Sequence, residues 1–503
     1  MRGVKAANKL KLKLLGIDTQ HEHIAFIRAD SQIIFSEGFE ALTRIRLIRK
    51  NKSIVASLNI VYSDLLKDGE IGLSESAISS LHAKAGDEII IRAISPIESL
   101  RFVRAKIYGN EIDTKAMKQI VDDIVEGRYG NVQLSAFITA CAGNRLNTDE
   151  IISLTKAMIN SGNRIRWGKK LVVDKHSIGG LPGNRTTPIV VAIVTAFGLT
   201  MPKTSSRAIT SPAGTADTME TITEVNLTKA QIRKVVEAEG ACLAWGGHAN
   251  LSPADDILIR VERALDLDSE GQMIASVLSK KVSAGSTHVI IDMPVGETAK
   301  IRSIEAANAL KVEMEKVAHA IKLNIKVVIT DGTQPVGRGL GPALEAMDVL
   351  SVLRNEEIAP VDLRDRALLI AGEIIELSGK TEKGEGNKIA KELLESGKAF
   401  EKFKAICEAQ GRFTEPEYAK YKHEVKAKKS GIVININNRR LAKVAKLAGA
   451  PDDPSAGIEF LAPIGTKIET GQILFNIYAE AKGELAYALD YLQNEEGAII
   501  TIE

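Results

Sequence analysis

The chain has 503 residues, 45% of them hydrophobic and 26% charged. That balance excludes intrinsic disorder and, at roughly 150 residues per core, predicts about three folded domains. With 66 Lys and Arg against 64 Asp and Glu the net charge is +2; no whole-molecule field draws the protein to nucleic acid or to an anionic membrane, and a phosphate-bearing ligand must be caught locally.

The basic start, 1–13, reads as a tail, because Gly16 to His23 interrupts any apolar run that a signal peptide would need. From Leu14 to Pro96 short β-type runs such as Ile45-Arg-Leu-Ile-Arg49 and Glu88-Ile-Ile-Ile-Arg92 alternate with Gly, Asp and Ser turns, predicting a small β-rich domain. After Ile94-Ser-Pro-Ile97 the apolar period changes to that of amphipathic helices over 113–126, 132–142 and 148–161. From Leu171 short apolar strands alternate with helices, which argues a mostly parallel sheet with crossover helices. The most apolar stretch, 189–199, falls well short of the ~20 residues of a membrane span and predicts a buried helix. A charge-rich helical stretch follows over 361–425, and after Lys426-Ala-Lys-Lys-Ser-Gly431 the pattern returns to β. Cys141, Cys242 and Cys407 are too few and too far apart for a disulfide framework or a paired metal motif, so a reducing cytoplasm is expected and no metal site.

Two stretches carry chemistry. In Asp174-Lys-His-Ser-Ile-Gly-Gly-Leu-Pro-Gly-Asn-Arg-Thr-Thr187, between a strand and a helix, Gly179, Gly180 and Gly183 let backbone N–H groups converge on an anion. Lys175, Ser177, Thr186 and Thr187 add a charge and hydroxyl donors, and phosphate is the natural guest; the spacing is not that of a Walker A loop. The second stretch, Lys203 to Glu220, holds seven hydroxyl residues, costly to bury without partners, and predicts a polar cavity wall. His21, His23, His82, His288, His319 and His423 stand outside any motif and read as packing or surface residues, unlike His176.

The run Ser205-Ser-Arg-Ala-x-Thr-x-x-Ala-Gly-Thr-x-Asp-x-x-Glu220 resembles the signature of the thymidine/pyrimidine-nucleoside phosphorylase family, and Lys175-His-Ser-x-Gly-Gly180 resembles its phosphate loop. Further matches at 253–257, 266–281, 330–345 and 431–478 extend the resemblance over roughly residues 100 to 503. The first hundred residues are an addition that the compact bacterial thymidine phosphorylases lack; archaeal AMP phosphorylases and a bacterial thymidine phosphorylase-like branch have it, and the chain looks closest to that bacterial branch. Pattern and resemblance together predict an α/β protein. It comprises a barrel-like β-rich domain (1–98), a discontinuous helical domain (99–165 plus 253–283), a large α/β phosphate-binding domain with a mixed sheet (166–252 plus 284–425) and a C-terminal α+β domain (426–503). The resemblance also implies homodimerisation through the helical domain, and hinge closure that excludes water.

Residue by residue, the resemblance implies that Lys175, Ser177, Thr187, Ser205 and Thr215 hold inorganic phosphate as co-substrate, with Gly180 giving close backbone approach and no other cofactor required. His176, Ser276 and Lys280 match positions that face the base. In the AMP phosphorylase pattern Ser206, Arg207, Ala208, Ile209, Thr210 and Ser211, with Ser276 and Lys300, contact the nucleotide, and Asp268 matches a proton donor. Phosphorolysis passes through a transition state with oxocarbenium character. The nucleophile must be fixed on one face of the sugar, and the base must shed its developing negative charge to a cation such as Lys280 or an acid such as Asp268. Asp268 is suited to that only if burial or Asp266 raises its pKa from about 3.9; it reads equally well as the N-cap of the next helix, and Lys280 as a cation favoured by a helix C-terminus. One departure stands out: where the compact enzymes place a base-binding Arg, the place falls in this chain on Val261 or Glu262, with Arg260 and Arg263 only nearby. Thymidine phosphorylase-like phosphorolysis of a nucleoside is the expected function, and phosphorolysis of a nucleoside 5′-monophosphate to ribose 1,5-bisphosphate and free base is the alternative within the same chemistry. A phosphoribosyltransferase and a non-enzymatic binding module are the readings from other classes; the first lacks a paired-carboxylate magnesium motif beside the Gly loop, the second a carrier lysine.

Overall fold

The structure is a computed structural model that describes residues 9–20, 22–208, 211–249, 252–267, 269–495 and 497–503. Its contacts group the chain into two units, 1–161 with 252–276, and 162–251 with 277–503.

In the first unit six strands, Lys9–Leu14, Ile24–Arg28, Arg44–Arg49, Lys52–Val61, Glu70–Leu73 and Glu88–Ala93, close into a barrel. Strand alternation explains the closure. In Arg44–Arg49 the pleat sends Ile45 and Leu47 inward while Arg44 and Arg46 lie on the opposite face, and Ile27, Leu58, Ile71 and Ile91 meet them inside. The first and fifth strands pair in parallel, as do the second and fourth, so the barrel is not a simple meander. Five helices of the same unit follow: Leu100–Ile107, Thr114–Val125, Asn131–Cys141, Thr148–Ser161 and Pro253–Leu265. Asp113 starts the second of them by accepting the Ala116 N–H at 2.8 Å, and Met117, Ile120, Val121 and Ile124 form its buried stripe. Arg44 of the barrel donates to the Tyr129 carbonyl and fastens the barrel to the helices.

The helical part has a polar pin. The Lys106 ammonium lies 2.7 Å from both carboxylate oxygens of Glu150, and the same carboxylate accepts the backbone N–H groups of Ile112 and Asn147. Both side chains are buried. A paired, fully hydrogen-bonded ion pair of this kind is tolerable, whereas half of one is not.

The second unit has a parallel sheet in the order Asn324–Asp331, His288–Val295, Val173–Ser177, and a parallel pair, Met201–Ser205 with Ala241–Trp245. The sheet expected to be mixed is thus parallel in every described pairing, as crossover helices require. The apolar run predicted as a buried helix is Thr186–Ala196, in which Ile189 to Val194 are each 0% exposed. It packs among Pro342–Leu353, Val361–Leu377 and Lys398–Ala409. The helical stretch ends at Ala409, and strand structure returns at Tyr421–Lys426, earlier than predicted, because that strand pairs antiparallel with Ile473–Ala479. Gly339–Leu340 pairs antiparallel with Gly457–Phe460, and the helix that follows starts at Pro342.

Removing one partner of the Lys106–Glu150 pair leaves a buried charge alone. Glu150→Ala is expected to cost about 3–5 kcal/mol, read as a lower urea midpoint, whereas the apolar double change Lys106→Met with Glu150→Leu should restore much of it.

Candidate active site

The strand Val173–Ser177 delivers three of the predicted residues to one sheet end. Lys175 is 1% exposed. Its ammonium donates to Thr186 Oγ1 at 2.7 Å, lies 3.5 Å from Thr187 Oγ1, and stands 3.8 Å from Asp292 Oδ2. Asp292, at 0% exposure, also accepts Thr330 Oγ1 at 2.7 Å and Asn184 Nδ2 at 3.2 Å. Asn184 lies 3.4 Å from Ser177 Oγ as well. Burial drives the lysine pKa down to about 8, the Asp292 carboxylate opposes that, and Arg185 and Arg366 add to the depression. The result is a desolvated cation beside two helix N-terminal threonines, aimed where an oxyanion would gain most.

The Gly loop is held by close approach. Gly180 has φ +82, and a Cβ there would come within 2.5 Å of the Lys300 N; the loop glycine and Lys300, predicted separately, are neighbours. Gly183, at φ +69, would set a Cβ 2.3 Å from the Val336 carbonyl, which accepts the Asn184 N–H at 2.8 Å. The loop therefore leans on the 330–345 segment.

Arg185, not among the predicted site residues, ties the two stretches together. It donates to Thr215 Oγ1 at 2.9 Å and to the Ala213 carbonyl at 3.0 Å, and pairs with Glu345 at 2.5 Å. Burial raises the Glu345 carboxyl and the Arg185 guanidinium pulls it back. Ser205 ends the strand Met201–Ser205 with a buried Oγ that has no partner in the protein.

Beyond Ser205 the signature proves to be largely a hydrogen-bonded loop. Asp217 accepts the N–H groups of Ala208 and Gly214 at 2.6 and 2.8 Å. Arg207 makes a two-pronged pair with Glu220 at 2.5 and 2.8 Å and lies over the Trp245 ring; the hydrogen bonds to Glu220 raise its pKa. Ser206 is exposed, and Ser211 donates to the Ala213 carbonyl. Ile209, Thr210 and Asp268 lie outside the described residues, as does His21.

Ser276 and Lys280 lie on the helix Glu270–Ser283, each half-buried. The fully buried lysine is its neighbour Lys281, which meets Asp174 at 2.8 Å; Lys203 meets the other carboxylate oxygen at 3.3 Å, and Ser286 lies 3.3 Å away. Burial pushes Asp174 upward, but the two ammonium groups outweigh it and hold the carboxyl below its usual range. Reading Lys280-Lys281 as a helix end favoured by the macrodipole misses this, since a step of about 100° per residue sends neighbours in different directions. Burial, reinforced by Lys281, Lys203, Lys280 and Lys175, pushes the half-buried His176 well below its ordinary value. Its ring is neutral at pH 7 and offers one donor and one acceptor.

Three family models match in series. A glycosyl transferase family helical bundle domain covers residues 100–162, the glycosyl transferase family a/b domain covers 169–400, and a pyrimidine nucleoside phosphorylase C-terminal domain covers 432–497. A protein of Legionella pneumophila (strain Corby), provisionally named a thymidine phosphorylase, is 56% identical over 496 residues, 99% of this chain and 96% of its own. A counterpart of the same provisional name in Hahella chejuensis is 54% identical over 492 residues, 98% and 97% of the two chains. Among solved structures, anthranilate phosphoribosyltransferase from Thermus thermophilus superposes with a TM-score of 0.52 at 19% identity, over 61% of this chain and 98% of that one, a likeness of fold alone.

The ammonium of Lys175 is present below about pH 8 and lost above it. Inorganic phosphate binding, followed by titration calorimetry, should be pH-insensitive on this account below 8 and weaken toward tenfold per pH unit above it.

Proposed function

The chain belongs to the thymidine/pyrimidine-nucleoside phosphorylase family, and from that premise we propose that it is a pentosyltransferase that cleaves the N-glycosidic bond of a nucleoside with inorganic phosphate. In its thymidine phosphorylase-like form, thymidine and phosphate give thymine and 2-deoxyribose 1-phosphate. The observation that carries the reading is the buried Lys175 ammonium at the Thr186 and Thr187 hydroxyls, next to a Gly loop. The unsatisfied Ser205 hydroxyl supports it, since a buried Oγ without a partner costs about 1–3 kcal/mol unless a ligand completes it.

In this reading Lys175, Ser177, Thr187, Ser205 and Thr215 hold phosphate, Gly180 lets the loop backbone approach it, and Arg185 sets the distance between the two stretches. A phosphate oxygen forms the new bond to C1′ as the bond from C1′ to the base nitrogen breaks, and the bonding pair leaves with the base. Fixing the nucleophile supplies effective concentration. His176, kept neutral, donates a hydrogen bond to the base; Lys280 and Ser276 act on the same group, and Asp268 is the proposed proton donor. Ser206 to Ser211 and Lys300 belong to the substrate side, with Arg207 acting as a brace for that loop rather than as a free cation. A homo-oligomer in the cytoplasm goes with this proposal. The three cysteines are free and buried, and among the described residues no helix is long and apolar enough to cross a membrane.

A second reading, phosphorolysis of a nucleoside 5′-monophosphate to ribose 1,5-bisphosphate and free base, is favoured by the contact of Gly180 with the Lys300 backbone and by Val261 or Glu262 at the place of a base-binding Arg. Purified protein given thymidine, uridine, AMP or CMP with phosphate should release base only when phosphate is present, measured by chromatography. No phosphate-dependent release from any of them sinks both readings, and turnover of thymidine without AMP removes the second.

Lys175→Met keeps the side chain's length and removes its charge. Turnover should fall roughly 10²- to 10³-fold, while the thermal midpoint at neutral pH does not drop, because a buried ammonium with a depressed pKa opposes folding below its unfolded pKa. Undiminished turnover with the wild-type dependence on phosphate would contradict the assignment.

A further inference from the structure

The helix Glu270–Ser283 begins with Ser269-Glu-Gly-Gln272, the spacing of a capping box in which Ser and Gln would satisfy each other's backbone N–H groups. Neither half is used that way. Ser269 Oγ turns to the Cys141 carbonyl at 3.2 Å, and neither the Oε1 nor the Nε2 of Gln272 has a hydrogen-bond partner. Gln272 is nevertheless only 4% exposed. It is the only described residue with two such orphaned side-chain atoms. The helix is properly formed at this point, since the Met273 N–H reaches the Ser269 carbonyl at 2.9 Å. Its rotation is also set: a Cβ on Gly271 would lie 3.1 Å from Ile151 and 3.2 Å from Leu146, so that turn sits tightly against the helical core. The amide is thus buried with one donor pair and one acceptor unspent. A polar group desolvated in this way is retained when something else completes it.

We propose that Gln272 is a specificity-determining residue that hydrogen-bonds the edge of the departing base. A carboxamide presents an acceptor and a donor side by side. The same pair, complementary, lies on thymine as N3–H beside C4=O and on adenine as N7 beside the C6 amino group. Ser276, one turn further on, shares its face of the helix and is itself placed on the base in the proposed reaction. The inference rests on that reading of the reaction. It adds a residue that replaces the base contact missing at Val261 or Glu262: recognition moves from a guanidinium to an amide, from one that prefers carbonyl-rich edges to one that takes either orientation.

The test compares wild type, Gln272→Leu and Gln272→Asn with thymidine and with AMP as separate substrates, each at varied phosphate. For the substrate that the wild type uses, Gln272→Leu should lower kcat/KM roughly 10- to 100-fold with the phosphate KM unchanged. The thermal midpoint should stay level or rise, because leucine removes the orphaned amide without removing volume. Gln272→Asn, which keeps the amide one methylene short, should show the same loss and serves if the leucine variant does not fold. Wild-type kcat/KM in either folded variant would overturn the inference and leave the amide as a site filled by structural water. Failure of the wild type itself to release base with phosphate is visible before any substitution; it would overturn the proposed reaction and this residue's role with it.

Discussion

Burying the Lys175 ammonium obliges the surrounding chain to bring acceptors to it, and much of the second unit is arranged by that demand. Asp292 comes from the neighbouring strand, Thr186 and Thr187 from the first turn of a helix that is otherwise apolar apart from Thr195, and Thr330 and Asn184 donate to the same carboxylate. The compensation is partial. One carboxylate at 3.8 Å, shared with two other donors, leaves the lysine short of a counter-charge, and the depressed pKa records the deficit. A site with a cation in deficit binds an anion more strongly than one already neutralised. The same logic is repeated a few ångströms along the strand, where Asp174 is shared by Lys203 and Lys281. Two carboxylates answer to several cations in a molecule whose net charge is close to zero. The positive potential is therefore local, as the overall composition required.

How much of this could be read in the chain depended on whether the relevant residues were neighbours in sequence. The phosphate loop and the hydroxyl-rich stretch each lie within about a dozen and a half positions, and their residue types state their chemistry. Lys175, Ser177 and Thr187 could be singled out as an anion loop for that reason, whereas Ser205 and Thr215 were named from the family resemblance. Asp292 and Glu345 were not legible, since each is a single carboxylate over a hundred residues from its partner, inside an apolar run that looks like core. Arg185 was in plain view within the loop, but a guanidinium pointing at Thr215 rather than at a ligand has no signature of its own. Lys281 was overlooked beside Lys280 because adjacency in sequence says nothing about facing direction in a helix. In the fold, the helices of the first unit followed from their period, whereas the parallel pairings that close the barrel join strands far apart in the chain, which no local pattern encodes.

The likeness to anthranilate phosphoribosyltransferase in fold, against the likeness to provisionally named thymidine phosphorylases in sequence, separates scaffold from chemistry. The first likeness is one of fold alone; in this chain that scaffold supplies a parallel sheet whose strand end meets a Gly loop and a helix N-terminus. Specificity is then left to side chains on the adjoining helices and loops, which are also where this chain departs from the compact phosphorylases.

The helix Thr186–Ala196 has a further consequence for how the molecule fails. Its first two residues touch the Lys175 ammonium, and its next turns have no solvent exposure at all. Backbone amides in such an element exchange with solvent only when its whole cooperative unit opens. The hydroxyls that meet Lys175 cannot fray ahead of the core they are attached to, so on heating this polar cluster persists until that core gives way, and is then lost in the same step.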